Sequence, residues 1–350
     1  MTLEAITLRR CPQNPVVRPG LYDWRRAVVF NPAVIHYNNH FYLFERAGGG
    51  LRPFHNSIGA LVSDDGIHFN HLSEEPVFTP AMCGSKYGSV QDPRIVQIGD
   101  TFYMTFAYRP YAWSCNPTGL GVPQSHETEY PGVTFKSAEN QTRSGVAVSK
   151  DLVHWAFHSW TSDMDRDDRN NILFPEKIGG RFALLRRPQR FVGTNTEHDA
   201  EPPCIQLSYS EDLIKWTEPQ KVIAPAFAWE DNRIGGSAPP IKTEHGWLTT
   251  YHGVENQDTA TRRVCYRMGL MLLDLKDPTR VLARCPHPIM EPTEYYEKFG
   301  LLIPNVIFPT AAVVVDGLVH IYYGVCDTAI CLATVPLNEL LQLALRYKSE

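Results

Sequence analysis

The chain has 350 residues, 43% of them hydrophobic and 20% charged, and its 38 acidic and 33 basic side chains give a formal net charge of −5. That balance excludes a broad surface for nucleic acid or anionic membrane, so any basic cluster has to be local. No stretch reaches the roughly 18 consecutive apolar residues of a membrane helix, and Met1-Thr2-Leu3-Glu4 carries no basic segment leading into an apolar run, so the chain reads as cytoplasmic and globular.

Taken in chain order, five segments share one plan: a short apolar run around a proline, a turn, then an aromatic-rich strand. They are VFNPAVIHYNNHFYLFERA from Val29, VQDPRIVQIGDTFYMTFAY from Val90, ILFPEKIGGRFALLRRP from Ile172, GSAPPIKTEHGWLTTYHG from Gly236 and VIFPTAAVVVDGLVHIYYG from Val306. The prolines, Pro32, Pro93, Pro175, Pro239 and Pro309, recur at a spacing that fits four strands and long loops. Five copies of one unit close radially, so the expected fold is all-β, a five-bladed β-propeller filling 1–350 as a single domain. An open sandwich is the alternative, although its strands need not repeat.

Between these segments recur SDDGIHF from Ser63, SKDLVHW from Ser149 and SEDLIKW from Ser210. Ser-x-Asp ahead of an aromatic reads as a turn whose hydroxyl and carboxylate satisfy backbone amides, which makes these acids structural. Residues 109–145 form a long insertion rich in Pro, Gly, Ser and Asn, with Tyr111, Trp113, Tyr130 and Phe135 suited to cover a sugar-sized cleft. One helix is expected, at 336–348, with Leu337, Leu340, Leu341, Ala344 and Leu345 on one face. The eight cysteines include no CxxC pair, so free thiols are expected rather than disulfides or a metal site.

In a repeat protein, equivalent positions carry the fold, and chemistry belongs where one copy departs. Phe30-Asn31-Pro32, Phe174-Pro175 and Phe308-Pro309 stand opposite Asp92-Pro93-Arg94, which puts an acid on the second inner strand. Arg169-Asn170 precede the third segment, Arg187 ends its next strand, Arg233 precedes the fourth, and His252 and Tyr266 follow it. If these ends meet at one mouth, they form an anion site in an acidic protein, because guanidinium forks match phosphate oxygens.

These segments together resemble glycoside hydrolase family 130, the β-mannoside phosphorylases and related β-mannosidases. The resemblance runs from NPVVRPG and VFNPAVI through DPRI, LFPEKIGGRFALLRRP and GSAPPIKTEHGWLTTYHGV to FPTAAVVVDGLVHIYYGVCDTAICLATV. It implies a five-bladed propeller, a general acid at Asp92, and phosphate bound by Arg169, Asn170, Arg187, Arg233, His252 and Tyr266. It also implies a mannose subsite at Arg46, Asn56, Ser57, Arg94 and Asp327, together with self-association. Arg233 stands where the family often has lysine, and Gln91 where it commonly has glutamate.

The expected reaction is inverting phosphorolysis of a short β-mannoside, with β-1,4-linked substrates favoured and β-1,2 open, giving α-mannose 1-phosphate. It needs inorganic phosphate as co-substrate and no cofactor. Asp92 would need a raised pKa to begin each turnover protonated. An inverting hydrolase is the competing reading; it requires a second carboxylate as base, for which Glu176, Glu230, Asp231 and Asp327 are available. A non-catalytic carbohydrate-binding propeller is the third.

Overall fold

The computed structural model describes residues 8–112, 141–162, 167–189, 203–258, 260 and 263–348, with the backbones of the short paired strands Ser114–Cys115 and Gln124–Ser125. Five antiparallel sheets of four main strands form the five blades expected from the repeat. Their inner strands are Val28–Tyr37, Ser89–Ile98, Asp167–Leu173, Arg233–Gly236 and Ile307–Val315. The second strands are His40–Gly48, Thr101–Arg109, Phe182–Gln189, Gly246–Asp258 and Leu318–Val325. The short hairpins Asn38-Asn39 and Asp316-Gly317 hold both residues at positive φ, the conformation that Asn, Asp and Gly tolerate best in two-residue turns.

The ring closes by borrowing a strand. Arg9–Arg10, from the start of the chain, pairs with Ala333 and Thr334 as the outermost strand of the fifth blade. Arg10 then donates to both oxygens of fully buried Glu297, which also accepts from the Tyr323 hydroxyl at 2.9 Å and from the Thr293 and Glu294 amides.

Apolar clusters lie between neighbouring blades. Ala33, Phe44 and Ile58 meet Ile95, Phe102 and Phe106 between the first and second, and Phe174 and Leu185 meet Trp247 and Met271 between the third and fourth. Each fully buried side chain of this kind stabilises by roughly 1.5–3 kcal/mol, so the ring is held at every interface rather than by one core. The C-terminal helix, Leu337–Leu345, lies inside the expected 336–348 and inserts Leu340, Leu341 and Ala344 into the cluster between the last two blades.

All three Ser-x-Asp turns form as expected. Ser63 Oγ accepts from the Gly66 amide and Asp65 Oδ1 from the Ile67 and His68 amides, and the same bonds recur at Ser149-Asp151 and Ser210-Asp212. Trp113, Tyr130, Phe135 and most of the 109–145 insertion lie outside the described residues.

One expectation needs correction. Asp168 to Asn171 do not precede the third inner strand; they form it, and Phe174-Pro175 follows it. What repeats between blades is a β-bulge, with the register shifting between Phe30 and Ala33, Gln91 and Arg94, Arg169 and Ile172, and Pro309 and Ala311. Asn31, Asp92 and Asn170 occupy the first three bulges at φ of 44°, 50° and 54°. A proline follows Asn31 and Asp92, whereas Pro309 precedes the bulge of the fifth blade, so proline alone marks the repeat imperfectly.

Candidate active site

A bulge leaves a residue unpaired and re-aims its side chain, and here it does so at the same end of adjacent inner strands. Asn31 of the first blade donates from Nδ2 to Asp92 Oδ1 of the second at 2.9 Å. Gly324 leaves the room this needs, since a Cβ there would come within 2.1 Å of Asn31 Oδ1. Arg46, at the end of the first blade's second strand, adds a 2.9 Å bond from Nη1 to the same oxygen and donates from Nε to Asn56 Oδ1 at 2.8 Å. Its guanidinium lies over the Phe30 ring at 4.3 Å, which fixes the plane of the fork. Ser57 is buried beside Asn56.

Arg94 spans the channel. Its Nε donates to the Ser237 carbonyl of the fourth blade at 2.7 Å, and its Nη1 to the backbone carbonyl of Asp92 at 2.6 Å. Beyond it, Asn170 Nδ2 lies 3.4 Å from His252 Nε2, and the His252 ring packs edge-on against Phe308 at 4.5 Å. Gly235 permits this approach, because a Cβ there would fall 2.5 Å from both Asn170 Nδ2 and His252 Cε1.

The remaining cations gather beside these groups. Arg169 makes a fork with Asp167, at 2.8 Å from Nε and 3.2 Å from Nη2. Arg233 donates to the Asn232 side chain and to the Tyr266 hydroxyl. Arg187 is 4% exposed, and its Nε and Nη1 have no hydrogen-bond partner among the described residues. Strand alternation turns its neighbour Arg186 to the other face, where Asp168 takes its fork.

The electrostatics follow from this crowding. Burial, with Arg233 and Arg169 nearby, lowers the Arg187 pKa to about 9, and burial lowers Arg94 to about 10 against the pull of Asp92. Both remain charged at neutral pH. Burial and the neighbouring Arg187, Arg233 and Arg94 push His252 well below its ordinary value, so its imidazole is neutral. Burial raises Asp327 to about 6, with Arg46 opposing and Asp92 assisting.

Asp92 departs from expectation. Burial pushes its carboxyl upward, but Arg46, Arg94 and the hydrogen bonds from Asn31 and Arg46 outweigh that, and the net shift is downward. The free site therefore holds Asp92 ionised, contrary to the raised pKa expected of an acid.

The other carboxylates are engaged elsewhere. Glu176 pairs with Lys242 at 2.5 Å, Glu230 accepts from the Ala226 and Phe227 amides and from Arg284, and Asp231 accepts from the Asn256 amide. Only Asp327, of the four acids considered as a base, interacts with Asp92. Among the described residues, no group of three or more His, Cys, Asp or Glu is arranged to hold a metal ion.

The residues assigned from sequence to the acid, the phosphate cradle and the mannose subsite thus lie around this end of the channel, whereas Glu176, Glu230 and Asp231 do not join them. Sequence reading missed the roles of Asn31, Ser237 and Phe308, which orient or pack against them. Asn31 carried a usable signal: FNP and QDP align, so the residue equivalent to the acid was already visible.

Fold and site together define a five-bladed propeller with a carboxylate and a cluster of cations at one end of its channel. Residues 7–346 match the family profile described as β-1,4-mannooligosaccharide phosphorylase, and the chain belongs to glycoside hydrolase family 130. It is 33% identical to a 1,2-β-oligomannan phosphorylase of Thermoanaerobacter sp. (96% of this chain, 99% of the relative) and 34% identical to a β-1,2-mannobiose phosphorylase of the same organism (94% and 97%). A β-1,4-mannooligosaccharide phosphorylase of Ruminococcus albus is 29% identical (97% and 91%). The solved β-1,2-mannobiose phosphorylase of Listeria innocua, 23% identical, shares the fold at a TM-score of 0.71 over 97% of this chain and all of that one.

Proposed function

We propose that the protein catalyses inverting phosphorolysis of a short β-mannoside. Arg187 carries the reading. A buried guanidinium with two unpartnered N–H groups is costly, and an anion supplies the acceptors it lacks. Arg169, Asn170, Arg233, His252 and Tyr266 complete the phosphate cradle, while Arg46, Asn56, Ser57, Arg94 and Asp327 hold the mannosyl unit beside Asp92.

In this scheme protonated Asp92 assists departure of the leaving sugar, and the bond from C1 to the glycosidic oxygen breaks. A phosphate oxygen bonds to C1 from the opposite face, which gives α-mannose 1-phosphate. Phosphate is itself the nucleophile, so no protein base is required. A hydrolase would need one roughly 6.5–9.5 Å from the acid, and three of the four acids considered for that role, Glu176, Glu230 and Asp231, are engaged with other partners. The two Thermoanaerobacter relatives favour a β-1,2 linkage over the β-1,4 linkage suggested by resemblance.

The test is a panel of β-1,2-mannobiose, β-1,4-mannobiose and β-1,4-mannosyl-glucose, each incubated with and without phosphate. Phosphate-dependent consumption, fastest for β-1,2-mannobiose, is expected. Equal release of free mannose in both conditions would overturn phosphorolysis, and preference for a β-1,4 substrate would overturn the linkage.

A further inference from the structure

The site contains five arginines, Arg46, Arg94, Arg169, Arg187 and Arg233, against the carboxylates Asp92, Asp167 and Asp327. Asp167 is committed to Arg169. Asp92 is faced by Asn31 and Arg46 from the first blade, by Arg94 on its own strand and by Arg169 of the third blade. Asp327, in the fifth blade, is faced by the same Arg46 and by Asp92. His252 faces Arg94, Arg187 and Arg233. Arg109 of the second blade faces Arg169 and Asp167 as well, so with both carboxylates ionised and His252 neutral the six guanidinium groups outnumber the three carboxylates by three, a surplus that a phosphate dianion largely takes up.

Asp92 and Asp327 are thus two carboxylates around one arginine, and the surplus of cations is what favours their shared ionisation. Once a dianion takes up that surplus, the like-charge repulsion between them is no longer offset, and in a buried site this shifts titration strongly. We propose that the dianion and a proton enter the site as a linked pair, the proton being taken from solvent by Asp92 and Asp327 acting together across Arg46. This rests on the phosphorolytic reading and extends it: nucleophile binding itself charges the acid. A pair coupled in this way titrates as a unit, so the proton belongs to both groups until the sugar binds.

The sign follows directly. A group whose pKa rises on anion binding takes up a proton between its free and bound values, so affinity is highest at low pH and falls above the free value. Because Asp327 titrates at about 6 in the free protein, affinity should level off below that pH.

Sulfate is the suitable probe, because it is a dianion that does not itself titrate near neutrality. Its binding is measured by calorimetry from pH 5.5 to 8, in two buffers of different ionisation enthalpy. The expected result is a plateau below pH about 6, a fall of up to tenfold per pH unit above it, and uptake of up to one proton at pH 7. The double variant Asp92→Asn/Asp327→Asn should lose this pH dependence and bind sulfate more tightly than the wild type at pH 8. Wild-type affinity that is flat from pH 6 to 8 would overturn the linkage, as would a slope unchanged in the double variant, which would assign the proton to His252. Phosphorolysis accompanied by pH-independent sulfate binding would sink only the linkage. Failure of both sulfate and phosphate to bind would sink the reading beneath it.

Discussion

Asn31 and Asp92 occupy the same bulge in neighbouring blades, and the amide of one donates to the carboxylate of the other at 2.9 Å. One repeated backbone distortion supplies both the proposed acid and the group that aims it. Asn31→Ala should therefore leave the propeller folded but let the Asp92 carboxyl turn, and small misplacements at a reacting centre cost on the order of 100-fold. The expected outcome is a fall of about 10- to 100-fold in kcat with little change in the phosphate KM, read from steady-state kinetics. An unchanged kcat would show that Arg46 alone orients the acid.

Asp92→Asn is a clean substitution for a structural reason. Asparagine already sits at φ of 44° and 54° in the equivalent bulges, so the backbone there accepts it without strain. Turnover should fall by about 100- to 10,000-fold, the range of general acid catalysis, while the melting temperature stays near that of the wild type. Near-normal turnover would place the acid elsewhere.

Arg187 sets function against stability. Arg187→Met should raise the phosphate KM by about 10- to 100-fold, the scale of one hydrogen bond to a charged group, and leave the sugar KM nearly unchanged. Without phosphate the variant should melt no lower than the wild type, because an apolar side chain replaces a buried, incompletely paired cation. Loss of stability with an unchanged phosphate KM would make Arg187 a structural residue.

Ring closure predicts the largest stability effect. Glu297→Ala would strip acceptors from Arg10, Tyr323 and two backbone amides at once. Breaking a buried ion pair by removing one partner costs about 3–5 kcal/mol, which denaturant unfolding would register. A change below about 1 kcal/mol would show that the borrowed strand is held by its backbone pairing alone.

The features legible in sequence were those encoded within one blade. The aromatic strands, the Ser-x-Asp turns and the C-terminal helix are local patterns, and each formed as read. The register of the third blade was not legible, because ArgAsnAsn lacks the proline that marks the bulge at Asn31 and Asp92. Asn171, not Pro175, is the true equivalent of Pro32 and Pro93, which sets Asn170 opposite Asp92. The charge state of Asp92 was hidden for a different reason: Asn31 and Arg46 reach it from 61 and 46 residues away, across a blade boundary that no motif around Asp92 records. Ser237 and Phe308 escaped notice likewise, since one contributes only a carbonyl and the other an apolar face.

The most direct test of phosphate as the attacking group is a stoichiometric one. β-1,2-Mannobiose is consumed in the presence of phosphate, and the mannose 1-phosphate formed is quantified and its anomer assigned by phosphorus and proton NMR before any equilibration. One equivalent of the α-anomer per disaccharide consumed, with one equivalent of free mannose as the leaving sugar, is the predicted result. Two equivalents of free mannose and no phosphate ester would contradict it.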